Sequence, residues 1–289
     1  MLPTPSTSHV AFDTIYEPAE DSYLFLDTLS DSKETSWLSS RFHTGAISKG
    51  AGYPSSGASS PPPIILEVGT GSGVVLGFIA ANCKSILGRS DILTLGTDVN
   101  RNACSAARQT VKVAVTEKHA EEQQKQKPVT HDENESELSK TAKAPNTLQP
   151  LAVILGDLCS PLRPGTVDIL LFNPPYVPTP ELPQLPSSSD MASDTSKMSK
   201  FEMESYFLSL TYAGGELGME TTNRLLDSIP HVLNPKRGVA YVLLCAQNKP
   251  HEVMERIKGW GDGWKTEIAG RSGVKAGWER LVIIRIWKS

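Results

Sequence analysis

The chain has 289 residues, and 39% of them are hydrophobic, which is enough for one large domain or two small ones. Its net charge of −4 argues against a chain that binds polyanions through its overall charge, although a local basic patch is compatible with it. Four cysteines without a C-x-x-C spacing argue against a zinc knuckle or a disulfide framework. Without a signal-peptide pattern or a run of ~20 apolar residues, we expect a cytoplasmic or nuclear protein.

Apolar runs alternate with helical patterns along the chain. The predicted strands are 64–68, 92–97, 151–155, 167–172, 238–244, 265–268 and 279–287, and the predicted helices are 22–29, 74–82, 101–115, 220–233 and 250–260. Continuous apolar strands separated by helices indicate a parallel sheet with helices on both faces, and the last two strands indicate a hairpin. We therefore predict an α/β fold with a doubly wound, mostly parallel seven-stranded sheet and one antiparallel strand from the C-terminal hairpin.

Three segments differ in composition from the rest. They are 31–63, 117–150 and 183–200, and they are polar or rich in Gly, Ser and Pro. Since they contain too little apolar surface to offset the entropy of ordering, we predict that they are flexible insertions in a single domain over 1–289. The first part of 117–150 is also compatible with an extension of the preceding helix.

The stretch LEVGTGSGVV, residues 66–75, passes from a strand through three glycines into a helix. Gly69, Gly71 and Gly73 allow the backbone to approach a ligand, and the first amides of the helix then face that ligand. The G-x-G-x-G spacing differs from that of the dinucleotide motif, and Glu67 suits a cationic group better than a pyrophosphate. The alternative is a simple strand–helix turn.

Acidic residues end the next two strands. Asp98 can accept hydrogen bonds from both ribose hydroxyls of a nucleoside, or either it or Asn100 can cap the following helix. Asp157 can accept from an exocyclic adenine amine while Leu158 packs on the purine, although a turn aspartate after a glycine is an equal alternative. Because ligands of open α/β sheets bind at the carboxyl ends of the strands, we expect these residues to share one site.

The fourth strand ends in FNPPYVPT, residues 172–179. Pro174 and Pro175 lack an N–H, so the side-chain oxygen of Asn173 and the carbonyl of Pro174 can both face one planar –NH₂ group. Tyr176 can stack on the group that carries this nitrogen. Two acceptors would orient the nitrogen toward an electrophile and raise its electron density, which favours transfer to a poor nucleophile. The alternative is a proline-rich loop with a packed tyrosine.

Together these motifs resemble those of class I S-adenosylmethionine-dependent methyltransferases, Rossmann-like enzymes, that act on planar nitrogens. Two subfamilies share the NPPY turn: adenine-N6 methyltransferases of nucleic acids and the HemK-type glutamine-N5 methyltransferases of peptide release factors. The stretch YEPAEDSYLFLDTL, residues 16–29, resembles the short eukaryotic and archaeal HemK-type enzymes. The other stretches with this resemblance are FNPPYVPTPE (172–181), AGGELGMETTNRLLDSIPHVLNPKRG (213–238) and SGVKAGWERLVIIRIWK (272–288).

The resemblance implies which residues form the site. The catalytic residues would be Asn173, Pro174, Pro175 and Tyr176. The residues that bind S-adenosylmethionine would be Ser22, Glu67, Gly69, Thr70, Gly71, Gly73, Asp98, Val99, Asp157, Leu158 and Asn173, with no metal. The family commonly has Thr at the position of Ser22 and often Ser at that of Thr70. Glu20 and Asp21 would line the methionine end or else cap helix 22–29, and residues 213–220 would lie beside the substrate or form a plain helix cap.

The resemblance also implies an activity and a partner. The activity is methyl transfer to the amide nitrogen (N5) of the glutamine in the Gly-Gly-Gln motif of the eukaryotic class-1 peptide chain release factor. The partner is a small zinc-binding activator subunit in a heterodimer, which we expect at the sheet edge 151–155 unless the 117–150 insertion covers that edge.

Other functions are open at this point. They are N6-adenine methylation of DNA or RNA, methylation of a histone lysine, and nucleotide binding or scaffolding with a dead site. The acidic charge balance counts against a nucleic-acid substrate, no dedicated base for lysine is visible, and the motifs of the site are all present. We expect no membrane partner.

Overall fold

The computed structural model describes residues 2–43, 60–126, 152–185, 199–273 and 280–289. The strands are β1 (Ile64–Val68), β2 (Leu93–Asp98), β3 (Ala152–Leu155), β4 (Ile169–Phe172), β5 (Val239–Cys245), β6 (Trp264–Arg271) and β7 (Leu281–Lys288). The α-helices are α1 (Glu20–Ser30), α2 (Ser32–Phe42), α3 (Val74–Ala81), α4 (Cys83–Leu87), α5 (Arg101–Gln126), α6 (Lys200–Tyr212), α7 (Glu220–Val232) and α8 (Pro250–Lys258). No helix in these ranges is long and apolar enough to cross a membrane.

The seven strands form one sheet in the order β3-β2-β1-β4-β5-β7-β6. The pairs among β1 to β5 are parallel, and β7 is antiparallel to both of its neighbours. The predicted fold is therefore confirmed. The strand order reverses at β1, where Val68 is in register with Thr97 of β2 and with Phe172 of β4. The carboxyl ends of these three strands thus meet at one level of the sheet, where open α/β folds bind ligands.

Both faces of the sheet are covered, which explains the continuous apolar runs of the strands. On one face Ile65, Leu171 and Tyr241 pack in a cluster with α1 to α4. On the other face the alternate positions, among them Leu66 and Val242, pack against α7 and α8. Side chains point to opposite faces along a strand, so a fully buried strand must be apolar at every position.

For residues 31–43, the structure corrects the prediction of a flexible insertion at 31–63. Residues 32–42 form α2, which Asp31 caps by accepting from the backbone N–H groups of Lys33 at 2.8 Å and Glu34 at 3.4 Å. Leu38 and Phe42 are completely buried against the core. A few apolar residues at helical spacing are enough to order α2, because the buried carboxylate of Glu34 on the same helix also pairs with Arg285 of the sheet.

The other two predicted insertions have different outcomes. Residues 117–126 extend α5, as the alternative allowed, and α6 begins at Lys200 behind the capping box of Ser199 and Glu202. The segments 44–59, 127–151 and 186–198 lie outside the described residues, so their flexibility stays a prediction.

A buried ion pair attaches α2 to the sheet. Arg285 of β7 donates to both carboxylate oxygens of Glu34, at 2.8 and 2.7 Å, and the Tyr241 hydroxyl donates to the same carboxylate. The guanidinium carbon lies 4.0 Å from the ring centre of Trp37 and 4.8 Å from that of Trp287. Burial raises the pKa of Tyr241, and the neighbouring carboxylate of Glu34 raises it further, so the hydroxyl stays a donor.

We expect Arg285→Leu to lower the free energy of unfolding by about 3–5 kcal/mol, because it leaves the Glu34 charge buried without its cation. The double variant Glu34→Leu/Arg285→Leu should lose clearly less. Urea unfolding followed by circular dichroism measures both. Lys258→Ala, which breaks the exposed pair with Glu255, is the control and should change the free energy by less than about 1 kcal/mol. This account would be contradicted if Arg285→Leu had a free energy of unfolding equal to or higher than that of the double variant.

Candidate active site

A cavity of about 250 Å³ opens where the carboxyl ends of β1, β2 and β4 meet. Its wall combines the loop after β1, the ends of β2 and β3, the turn after β4, the N-terminal segment and α6. Of the predicted site residues, those in the wall are Ser22, Glu67, Gly69, Thr70, Gly71, Asp98, Val99, Asp157, Leu158, Asn173, Pro174, Pro175 and Tyr176. The cavity thus brings together residues that lie as far apart as 22 and 176 in the chain.

The glycine loop forms an open cradle. Gly69 and Gly71 have φ of +63° and +49°, values that L side chains rarely adopt. A Cβ on Gly69 would meet no atom within 4 Å, and one on Gly71 would meet only the Gly69 carbonyl at 3.9 Å. The backbone is therefore bare toward open space, and a ligand can approach it closely. The Thr70 amide donates to the Thr97 carbonyl at 3.1 Å, which fixes the loop to β2.

Gly73 is the predicted site residue that the structure does not place in the cavity wall. It precedes α3 with φ of +76°, and a Cβ there would lie 2.5 Å from the Cα of Ala107. Its lack of a side chain thus allows close packing of the start of α3 against α5. The sequence spacing alone did not distinguish this packing role from ligand contact.

Two carboxylates, the buried Glu67 and the half-buried Asp98, form an acidic part of the wall. Glu67 accepts from the Thr70 hydroxyl at 2.7 Å and from the Leu76 amide at 3.1 Å, while Asp98 accepts from the amides of Gly71 and Asn100 at 2.9 and 2.8 Å. Burial raises the pKa of Glu67 to about 8 and also raises that of Asp98, because desolvation disfavours the charged form. A cationic ligand in this part of the cavity would favour the ionised forms.

The structure resolves the alternatives for helix caps. Asn100 is the cap of α5, since its side-chain oxygen accepts from the Asn102 amide at 2.9 Å, whereas Asp98 faces the cavity. The alternative that Glu20 and Asp21 cap helix 22–29 is wrong. Both residues lie inside the first turn of α1, and Ala19 occupies the N-cap position.

The N-terminal segment contributes to the wall. Asp21 and Ser22 are both buried, and Asp21 accepts from the Ser22 amide at 2.6 Å. The Asn100 side chain donates to the Thr14 carbonyl at 2.7 Å and so holds the neighbouring Ile15 against the cavity. Ile15 and the adjacent Tyr16 are wall residues that the sequence analysis missed, and Glu20, exposed, is not one of them.

The segment after β3 joins the wall through a strained residue. Leu158 has φ of +49°, which is uncommon for a residue with a side chain, and it lines the cavity. Asp157 accepts a charged hydrogen bond from Arg224 of α7, which is also a wall residue. The sequence analysis did not anticipate this partner, because α7 lies far along the chain.

The turn after β4 presents an acceptor without a donor. The side-chain oxygen of Asn173 is buried and has no hydrogen-bond partner among the described residues. Pro174, Pro175 and Tyr176 continue the wall, and Tyr176 also packs against the core cluster between the sheet and helices α1 to α4. A buried acceptor without a donor is energetically unfavourable, so its presence at a cavity indicates that a ligand supplies the donor.

Beyond the turn, the cavity becomes apolar. Leu182, Pro183 and Leu185 line it together with Phe207 and Leu210 of α6, a helix that has no buried residue of its own. This end of the cavity was not predicted, because the composition of 183–200 indicated a flexible insertion and no helix was expected at 200–212. The aromatic content of α6 was the available signal.

No family model matches the chain. It is 29% identical to the methyltransferase HEMK2 of Homo sapiens, over 99% of this chain and 97% of that one. It is also 29% identical to the eRF1 methyltransferase catalytic subunit mtq2 of Schizosaccharomyces pombe, over 100% of this chain and 96% of that one. A protein N5-glutamine methyltransferase assigned in Methanocaldococcus jannaschii is 24% identical over 95% and 92% of the two chains.

The fold and the cavity define a class I methyltransferase, an enzyme whose methyl donor is S-adenosylmethionine. Within this class, the chain is similar over nearly its full length to HemK-type methyltransferases, as the resemblance of its motifs indicated.

The raised pKa of Glu67 predicts a dependence of stability on pH. In the folded protein the Glu67 carboxyl keeps its proton up to about pH 8. In the unfolded chain, where its pKa is near 4.5, the same group loses the proton at lower pH. This contribution to stability is fully present below pH 4.5 and is lost as the pH rises toward 8. Glu67→Gln keeps an oxygen acceptor for Thr70 and Leu76 but does not titrate.

We therefore expect the stability of Glu67→Gln relative to the wild type to increase by about 1–3 kcal/mol between pH 5 and pH 8. Thermal and urea unfolding in the absence of cofactor measure this difference. Glu255→Gln, an exposed change of the same kind, is the control and should show no such trend. A relative stability of Glu67→Gln that stays constant over this range would show that the buried carboxyl is not protonated.

Proposed function

We propose that the chain transfers a methyl group from S-adenosylmethionine to the side-chain amide nitrogen of a glutamine. The proposed substrate is the Gly-Gly-Gln motif of the eukaryotic class-1 release factor. Two similar proteins support this substrate: one is an eRF1 methyltransferase catalytic subunit, and the other is assigned as a protein N5-glutamine methyltransferase.

The observation on which the chemistry rests is the unpaired side-chain oxygen of Asn173. A primary amide has two N–H donors on a planar nitrogen, and one of them would satisfy this acceptor. Pro174 follows directly in the cavity wall, and its carbonyl is the proposed second acceptor. Tyr176, the last wall residue of the turn, offers an aromatic face for the amide plane.

The residues of the cavity wall fit the cofactor. The bare backbone at Gly69 and Gly71 allows close approach of the methionine part, and the carboxylates of Glu67 and Asp98 suit a ligand with cationic groups. We assign the ribose hydroxyls to Asp98, which has lone pairs beyond the two that its amide donors occupy, and the adenine to Asp157 and Leu158. The proposed site also includes Ser22, Thr70 and Val99 from the same wall.

The cofactor supplies an electrophilic methyl group on a sulfonium. The transfer forms one C–N bond, breaks one C–S bond and releases one proton from the amide nitrogen to water. Asn173 and Pro174 hold the two N–H groups, so the nitrogen is oriented and its electron density rises as it attacks. Pro175 keeps the turn rigid and lacks an N–H that would compete for these acceptors.

A glutamine fits the apolar end of the cavity better than a lysine. Leu182, Pro183 and Phe207 offer no carboxylate that would attract an ammonium or take its proton. A neutral amide loses less hydration energy in such a place than a charged amine does. An adenine would also satisfy Asn173, but no feature of the described cavity selects it over glutamine.

We further propose a small zinc-binding activator as the second subunit of a heterodimer, in a cytoplasmic enzyme without a membrane or nucleic-acid partner. One similar protein, the eRF1 methyltransferase mtq2, is named a catalytic subunit, which supports the idea of a second subunit. Strand β3 is at the edge of the sheet, and no described strand pairs with its outer side. Leu155 at its end is 37% exposed, which makes this edge a candidate for strand addition.

Leu155→Asp tests this docking edge. A charge at an exposed apolar edge should disfavour a subunit that pairs there, so the yield of a co-expressed zinc-binding activator in pull-downs should fall at least tenfold. Phe201→Asp, which changes a side chain that is 76% exposed on α6, is the control and should retain the activator. Equal loss in both variants, or in neither, would contradict docking at β3.

Asn173→Ala tests the proposed chemistry. Loss of one oriented acceptor should lower kcat about 10²–10³-fold, whereas cofactor affinity should change little. The substrate is the release factor, and mass spectrometry of its Gly-Gly-Gln peptide measures the methyl group. The matched control is Asn102→Ala, which alters an exposed asparagine outside the cavity wall and should leave turnover unchanged.

Two results would contradict the proposal. The first is a wild-type enzyme, purified with its activator, that leaves the glutamine unmodified but methylates a DNA or RNA duplex. The second is an Asn173→Ala variant that retains wild-type turnover, since the assigned role of the side-chain oxygen would then be wrong.

A further inference from the structure

The NPPY turn has few backbone donors of its own. Two of its four residues, Pro174 and Pro175, have no N–H and so cannot donate a backbone hydrogen bond. Groups from elsewhere in the chain therefore contribute to the position of Asn173 and Tyr176.

One support is the backbone of the 213–218 loop, which lies between α6 and α7. The Val177 amide donates to the Tyr212 carbonyl at 3.0 Å, and the Gly214 amide donates back to the Val177 carbonyl at 2.8 Å. A Cβ on Gly214 would lie 2.5 Å from the Pro175 carbonyl oxygen, and one on Gly218 would lie 2.0 Å from the Tyr176 carbonyl oxygen. The loop thus packs directly on the backbone of the turn.

A second support is the side chain of Asn248, which is 3% exposed and follows β5. Its oxygen accepts from the Cys245 amide at 2.8 Å, which fixes the side chain to the sheet. Its nitrogen faces three carbonyl oxygens, those of Leu217 at 3.0 Å, Gly218 at 3.4 Å and Tyr176 at 3.5 Å. One buried amide thus joins the sheet, the 213–218 loop and the turn.

Leu217, whose carbonyl accepts from the Asn248 side chain, has a strained backbone conformation. Leu217 has φ of +55°, a left-handed value that is unfavourable for a residue with a Cβ, and its side chain is 55% exposed. Side-chain burial does not stabilise this conformation. The shortest of the three contacts of Asn248 goes to the Leu217 carbonyl, which is oriented by that unusual backbone.

We propose that Asn248 is a positioning residue for methyl transfer, which sets the NPPY turn through the Tyr176 carbonyl and the 213–218 loop. Asn248 is not part of the cavity wall, so it acts through the backbone of the turn and not on the ligands. This inference rests on the proposed function, since it concerns the alignment of the glutamine amide.

Asn248→Ala is the first test, measured on the complex of the chain with its activator. We expect kcat for the release factor to fall about 10–100-fold, because small errors in alignment are costly for a transfer in line. The Kd of S-adenosylhomocysteine, measured by calorimetry, should stay within threefold of the wild type. The control is Asn82→Ala, which removes another buried asparagine that donates to the Phe78 carbonyl at the end of α3. This control should lower the melting temperature without lowering kcat.

Asn248→Asp adds a readout that a general loss of stability does not give. When protonated, the new carboxyl can still donate to one of the carbonyls, and when ionised it repels all three. Its kcat relative to that of the wild type at the same pH should rise as the pH falls, whereas the relative kcat of Asn248→Ala should stay flat. Both variants are measured where circular dichroism shows them folded.

A second route covers the case in which the Asn248 variants do not fold. Gly218→Ala pushes a Cβ against the same Tyr176 carbonyl and should lower kcat with little change in cofactor affinity. Gly261→Ala introduces a side chain at another positive φ, +123°, where nothing lies within 4 Å, and should leave kcat unchanged.

The outcomes separate the two proposals. If the wild type does not methylate the glutamine, the proposed function fails. If the wild type does so and a folded Asn248→Ala or Gly218→Ala retains its kcat, or loses cofactor affinity in step with kcat, the positioning role of Asn248 is wrong.

Discussion

Two adjacent prolines at the end of β4 are the constraint on which the site depends. Pro174 and Pro175 have no N–H, so the turn has few donors near the side-chain oxygen of Asn173, which has no hydrogen-bond partner among the described residues. Support for the turn comes from the 213–218 loop and from Asn248, both of which follow α6 in the chain. The small number of N–H groups in the turn thus agrees with both the free acceptor in the cavity and the close packing of glycines behind it.

The cavity has two chemically different ends, and each suits a different part of the reaction. At one end lie Glu67, which is buried, and Asp98, which is half-buried; the raised pKa values of both carboxylates reflect lost hydration, which a cationic ligand would offset. At the other end Leu182, Pro183 and Phe207 give apolar surroundings to the proposed position of a neutral amide. The sulfonium loses its charge as the methyl group moves, so apolar surroundings on the amide side do not oppose the transfer.

The strands and the residues at their carboxyl ends were predictable from the sequence, because local features determine both. Apolar runs set the strands, and parallel strands bring Glu67, Asp98 and Asn173 to one edge of the sheet. The errors involve contacts between distant segments. Helix α2 is ordered through Glu34 and its partner in β7, and the role of Gly73 depends on a helix some thirty residues later. Neither contact leaves a pattern in the nearby sequence.

The pair of Asp157 and Arg224 shows how a partly exposed contact can belong to a binding site. Both side chains line the cavity, with 35% and 47% of their surface exposed, so the pair contributes little to stability and costs little to rearrange. A carboxylate has enough lone pairs to keep Arg224 and still accept from an amine. Leu158 next to it is held at a positive φ, which places its side chain in the same wall. In our assignment, α7 thus contributes Arg224 to the adenine end of the cavity, while the loop before α7 supports the NPPY turn.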